Sequence, residues 1–311
     1  MKNIFRNSKG ELRLIWIWAV GIAAYYVLNT LASRVYANAM MSVLPVDVMS
    51  DVAMALADLV TVLPIVVLTV ILCQVLHRNL LHEPMWIALK PLLIACCAAL
   101  GSIVAAVLLL MALGKLRIEA APNLFAMAPG ELALTTACYA LISISMSMSS
   151  VLFYYGFLCD GVLKRLDQRI AVPACVILIG GYTALTGGGG AIRKLNYVLN
   201  TALTVLALDL GGVGACCGVT LGVGAGLGVI FGSPSSNYVL MRIIPTSLEA
   251  TIAPIVHDPL TGGADGAWAG LWLTAVLALL IAITLLCHAE NRAALRALFR
   301  RAMDSRMGAQ Q

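Results

Sequence analysis

The sequence predicts an all-α fold, a polytopic membrane helix bundle of about eight transmembrane helices with both termini in the cytoplasm. Three observations carry this expectation. Hydrophobic residues make up 61% of the 311 and charged residues only 11%, which is more apolar surface than a soluble core of this length can bury. Apolar stretches of roughly 20 residues, enough to cross about 30 Å of hydrocarbon, recur along the whole chain. The 20 Lys and Arg fall unequally between alternate connections.

In chain order the spans read Leu14 to Ser33, Val52 to Leu76, Pro91 to Gly114, Leu132 to Cys159, Ile170 to Thr186, Tyr197 to Gly211, Gly214 to Gly232 and Ala267 to Cys287. The first is too long for the apolar core of a signal peptide and runs on past Tyr25 and Tyr26, so it reads as an uncleaved helix. The sixth and seventh are separated only by Gly211, Gly212 and Val213, and a seven-span reading with one re-entrant segment stays open. With these boundaries one side of the membrane receives 14 cations, including Lys2, Arg13, Lys90, Lys164, Arg165 and Arg292, and the other receives 6, including Arg34, Lys115 and Arg193. The positive-inside rule then puts both ends in the cytoplasm. The net charge of +5 is accounted for by topology and anionic headgroups, and nothing points to nucleic acid.

Outside the spans, prolines mark the connections. Residues 1–288 read as the bundle, with an external loop over 233–266 whose Leu240, Ile243, Ile244 and Val256 make it a cap packed on the helices. Residues 289–311 read as a basic amphipathic tail in the cytoplasmic interface, with Leu295, Leu298 and Met303 on one side and Arg292, Arg296, Arg300 and Arg301 elsewhere. The nine cysteines all lie in or at the ends of spans without CxxC spacing, the pattern of small packing residues. Glycines at Gly214, Gly218, Gly222 and Gly226 repeat every four residues, which brings two helix backbones close together. A phosphate-binding glycine loop would need a strand before it, and the sequence predicts no strand.

Several short segments share an order. Asn7-Ser8-Lys9-Gly10-Glu11-Leu12-Arg13 leads into an aromatic-rich span, Tyr155-Gly156-Phe157-Leu158 is followed by Lys164-Arg165-Leu166, and Phe231-Gly232-Ser233-Pro234-Ser235 and Leu260-Thr261-Gly262-Gly263-Ala264-Asp265-Gly266 come later. In this order and spacing the chain resembles the CPBP family, bacterial relatives of the CAAX prenyl proteases. The resemblance implies an eight-helix intramembrane protease carrying Glu-Glu-x-x-x-Arg, Phe-x-x-x-His and His-x-x-x-Asn on three spans, in the bacterial plasma membrane. An acidic residue there would activate water, with the histidines supplying polarisation or a metal.

Registered on Gly156 and Phe157, the first motif falls on Ser150, Val151 and Tyr155, or one residue earlier on Ser149, Ser150 and Tyr154. The second falls on Tyr182 to Thr186 and the third on Thr220 to Gly224. Every acid, arginine, histidine and asparagine of the pattern is absent at these positions. Counted at 1.5 Å per residue from the nearest cytoplasmic charge, Ser150, Thr186 and Thr220 lie about 21, 25 and 16 Å deep, which places them in one layer. Hydroxyls take the place of the catalytic set, and a hydroxyl at its ordinary pKa needs a base to take its proton. His77, His82, His257 and His288 lie in loops or at a span end, and Asp58 and Asp209 sit toward opposite faces of the membrane.

The expectation is therefore a degenerate relative with no catalytic residue, no metal and no cofactor. Its vacant cavity, built from Ser149, Ser150, Val151, Tyr154, Tyr155, Tyr182, Thr186, Thr220 and Gly224, would hold a hydrophobic peptide, a lipid or another membrane protein within the bilayer. Two other readings remain beside it. An intramembrane endopeptidase with a non-standard site would use some of the same hydroxyls. A channel or transporter component would use the glycine-rich seventh span and the break at Gly187 to Gly190.

Overall fold

The computed structural model describes residues 14–43, 50–75, 85–120, 129–232, 240–246, 258–263 and 266–287. The amino-terminal segment, the tail over 289–311, all four histidines and much of the cap loop lie outside the described residues. The chain is mostly helical: α1 (Leu14–Val43), α2 (Ser50–Val75), α3 (Met85–Ala112), α4 (Pro129–Ser150), α5 (Asp160–Leu163), α6 (Gln168–Cys175), α7 (Gly181–Thr186), α8 (Ala191–Gly224) and α9 (Leu271–Cys287). π-Helical stretches join several of these into longer rods: Val151–Cys159 links α4 to α5, Val176–Gly180 links α6 to α7, and Ala225–Ile230 extends α8.

Three rods, Leu89–Ala112, Gln168–Thr186 and Ala191–Ile230, are long and apolar enough to cross a membrane, and four shorter apolar helices accompany them. Large apolar side chains on the outside fit that setting. Ile15, Ile177, Leu185, Leu109 and Leu279 are each more than half exposed, an arrangement that water would penalise and lipid would not.

One structural feature corrects the all-α expectation. A small three-stranded sheet forms from β1 (Leu116–Ala120), β2 (Phe231–Gly232) and β3 (Met241–Pro245) in the order β1-β3-β2. The chain leaves α3 through Gly114 at φ 66°, a left-handed value that glycine adopts at no steric cost. Leu116-Arg117-Ile118-Glu119 then alternates apolar and charged residues, as a half-buried strand does. It pairs antiparallel with β3, from Leu116 opposite Pro245 to Ala120 opposite Met241. Leu116 and Ile243 are buried with the ends of α3 and α9.

The rods pack in a definite sense, which the contacts along α8 reveal. Gln168 Nε2 donates to Asp209 at 3.2 Å, Gly180 lies against Val198 and Thr201, and Gly187 lies against Tyr197, so α6 and α7 run antiparallel to the first limb of α8. Beyond Gly212 the direction reverses. Gly212 has φ 69° and ψ −168°, outside helical geometry. The second limb runs beside α3 in parallel, with Gly218 against Leu92, Gly222 against Cys96 and Gly226 against Ile103.

The rod from α4 to α5 shows the same reversal. Tyr155 meets Thr201 and Thr204 of the first limb, and Ser147 meets Thr220 of the second. Tyr155 also shares one apolar cluster with Cys216. From Ser147 to Tyr155 the partner on the second limb falls from Thr220 to Cys216, toward the break, while Tyr155 also meets Thr201 and Thr204, which would stand about 18 Å or more from Cys216 along an unbroken helix. A 40-residue rod would be about 60 Å long if straight, twice the hydrocarbon thickness. The break at Gly212 divides it into two limbs that each suit one crossing.

Candidate functional site

The candidate layer lies where the α4 rod, the α6–α7 rod and α8 approach one another. Each of the three carries a π-helical stretch next to the residues singled out from the sequence: Val151–Cys159 contains Val151, Tyr154 and Tyr155 and directly follows Ser149 and Ser150, Val176–Gly180 precedes Tyr182, and Ala225–Ile230 follows Gly224. π-Helical turns are rare and recur at functional sites. No sequence signal announced them.

The structure brings some of the expected residues together. The Ser147 hydroxyl donates to the Thr220 carbonyl in a long contact of 3.4 Å, so α4 and the second limb of α8 do meet one turn from Ser149 and Ser150. Ser149 is buried, whereas the side chain of Ser150 lies outside the described residues. Val151 is 1% exposed and packs with Tyr155, Cys175, Val205 and Cys216. The Tyr155 ring points the same way, toward Thr201 and Thr204 of α8.

Tyr154 faces the other side of its helix. Its ring lies 5.1 Å from Tyr25 and 6.2 Å from Tyr182, and Phe153 stacks on Tyr25 at 4.7 Å. The crevice between Trp18, Ile22, Tyr154, Leu178 and Tyr182 has a volume of about 10 Å³, room for no more than a single water. The two registers of the first motif thus face two different helices, and the one-residue earlier register leads into this filled aromatic seam.

Thr186 does not join the layer. It is exposed at the end of α7, and its hydroxyl donates to the Tyr182 carbonyl at 2.9 Å. The depth count fails for this residue because Gly187 to Gly190 end the rod there, and Thr186 sits at the mouth of the turn. Gly224 closes α8 where the helix passes into π form.

Three threonine hydroxyls at the layer are committed to backbone. Thr220 donates to Cys216 O at 2.9 Å, Thr201 to Tyr197 O at 2.9 Å and Thr204 to Asn200 O at 2.8 Å. These are bonds back to the carbonyl one turn earlier, a habit of Ser and Thr in helices that satisfies the side chain locally. Among the described residues no group of three His, Cys, Asp or Glu is placed to hold a metal. Sequence reasoning passed over Thr201 and Thr204, although their spacing puts both on the face of α8 that meets Tyr155.

Comparison of the chain with family models, with characterised proteins and with solved structures finds no match.

Proposed function

We propose that the chain is a non-catalytic relative of the CPBP intramembrane proteases, an eight-crossing bundle of the bacterial plasma membrane with both termini cytoplasmic, which binds a hydrophobic partner instead of cleaving one. The observation that carries this reading is Val151. It occupies a position that the resemblance gives to a catalytic glutamate, and it is 1% exposed inside an apolar cluster. A carboxylate that activates water needs solvent and a counter-charge around it. The surroundings of Val151 offer neither.

Two further observations support the same reading. Among the described residues, Thr220, Thr201 and Thr204 donate to carbonyls of their own helix and Ser147 to the Thr220 carbonyl, so these hydroxyls are engaged with backbone and not with a base. The break of α8 at Gly212 supports reading that rod as two crossings, as the eight-crossing proposal requires.

Cleavage of prenylated and unmodified hydrophobic peptides by the purified chain in lipid tests the proposal directly. The expected result is no turnover above a no-protein control. Turnover that disappears in Ser149→Ala, Ser150→Ala or Thr220→Ala would overturn it. A partner that stays with the chain through purification in mild detergent and is released by shortening the chain after His288 would support the binding role.

A further inference from the structure

A cavity of about 620 Å³ opens between α3, α8 and α9, and none of the residues of the hydroxyl layer lines it. Its volume falls within the roughly 300–1,000 Å³ of small-molecule sites. The space exists because small residues stand where three helices would otherwise touch: Ala98 on α3, and Ala207, Gly211 and Ala215 on α8. The wall is mostly apolar. The hydroxyl of Thr284 is turned to the Leu280 carbonyl at 2.7 Å, so it presents no free donor to an occupant.

The mouth lies at one end of the bundle. Pro91 near the start of α3, Gly211 at the break of α8 and Cys287 at the end of α9 all line it, and the charge sorting makes this the cytoplasmic end. Lys90, exposed, immediately precedes Pro91 and sets a cation at the rim. From Pro91 to Ala99 the cavity runs about 12 Å along α3.

Size and charge together select the occupant. The largely apolar lining, about 12 Å long on α3, suits a hydrocarbon chain. An uncharged apolar ligand would leave Lys90 without a role. We infer that the cavity holds one acyl chain of an anionic glycerophospholipid, with the headgroup phosphate at Lys90. The inference rests on the membrane placement of the bundle and is independent of whether the chain cleaves peptides.

The test uses the full chain in vesicles with phosphatidylglycerol or phosphatidylcholine bearing a photoreactive diazirine in one acyl chain. Label is expected on peptides covering 91–99 and 280–287, and Ala98→Phe should reduce it severalfold there. Lys90→Gln should weaken labelling by the phosphatidylglycerol probe about fivefold, the worth of one surface cation near anionic lipid, and leave the phosphatidylcholine probe unchanged. A second readout needs no substitution. Added phosphatidylglycerol should protect Cys287, which lines the cavity, from an apolar maleimide, while the exposed Cys97 outside the lining keeps its reactivity. Label spread evenly around the bundle, or equal protection of both thiols, overturns the lipid site alone. Absence of label from every lipid probe overturns the membrane placement as well.

Discussion

Val151 and Asn196 show how differently single residues report on this chain. Val151 packs against α6 and α8 with almost no exposure, so an acid placed there puts a charge in an apolar cluster without a partner. Val151→Glu is expected to lose about 3–5 kcal/mol of stability, the typical cost of an uncompensated buried charge, and to gain no peptidase activity. Denaturant unfolding in micelles measures the first and a peptide assay the second. Asn196 is fully buried and donates to Trp268 O at 2.8 Å and Gly270 O at 3.1 Å, while accepting from Thr274 Oγ1 at 2.7 Å. It ties α8 to the approach of α9, and Asn196→Leu strands both carbonyls and the hydroxyl. A loss of about 1–3 kcal/mol in the same measurement is expected. The absence of acids from residues 149–155 was legible in the sequence, because it needs no partner to be seen. Asn196 was not, because its partners are more than seventy residues away and a lone asparagine in an apolar stretch carries no pattern.

At the scale of elements, the glycine spacing was legible and its partner was not. Gly218, Gly222 and Gly226 repeat at four residues, and the structure sets that face against α3, where a Cβ on Gly222 would come within 2.6 Å of the Cys96 carbonyl and one on Gly218 would collide with the Leu92 carbonyl. Close backbone approach of this kind is how membrane helices associate when lipid and side chain are equally apolar. Gly222→Ala should push α3 and α8 apart and destabilise the chain by about 1–3 kcal/mol, the usual cost of overpacking. Gly101→Ala, on the same helix as Cys96 but with open space around its would-be Cβ, should be neutral or slightly stabilising through helix propensity. Equal effects of the two substitutions would show that the glycine face does not set the spacing. Length and hydropathy located the rods, although α1 runs on to Val43 past the expected end at Ser33 and α3 and α8 begin earlier than expected, and they missed the sheet. Its strands are five residues or fewer, and β1 and β3 pair across more than a hundred positions, which no local pattern records. The π-helical stretches escaped notice for a related reason, since a shift in hydrogen-bond register leaves residue composition unchanged.

For the whole molecule, the decisive question is whether the long apolar rod of α8 is one crossing or two, and the packing argues for two. The sequence raised this through Gly211, Gly212 and Val213 without settling it, because a short glycine run fits either a kink or a reversal. The structure puts Leu203 and Val219 on the wall of a single cavity, although they would stand about 24 Å apart along an unbroken helix. Tyr155 likewise meets Thr201 and Thr204 of the first limb and Cys216 of the second, which supports the same reversal. A chain carrying Leu203→Cys and Val219→Cys in place of its native thiols should therefore form an intramolecular cross-link with a bifunctional maleimide too short to bridge 24 Å. Replacing Gly212, whose φ of 69° disfavours any side chain, by Val should reduce both the cross-link yield and the amount of folded chain. If the pair does not cross-link while the protein remains monodisperse in detergent, α8 is a single continuous rod. The bundle would then have one crossing fewer, its carboxy-terminal half would invert, and the cation at Lys90 would face the opposite side of the membrane from the end of α9.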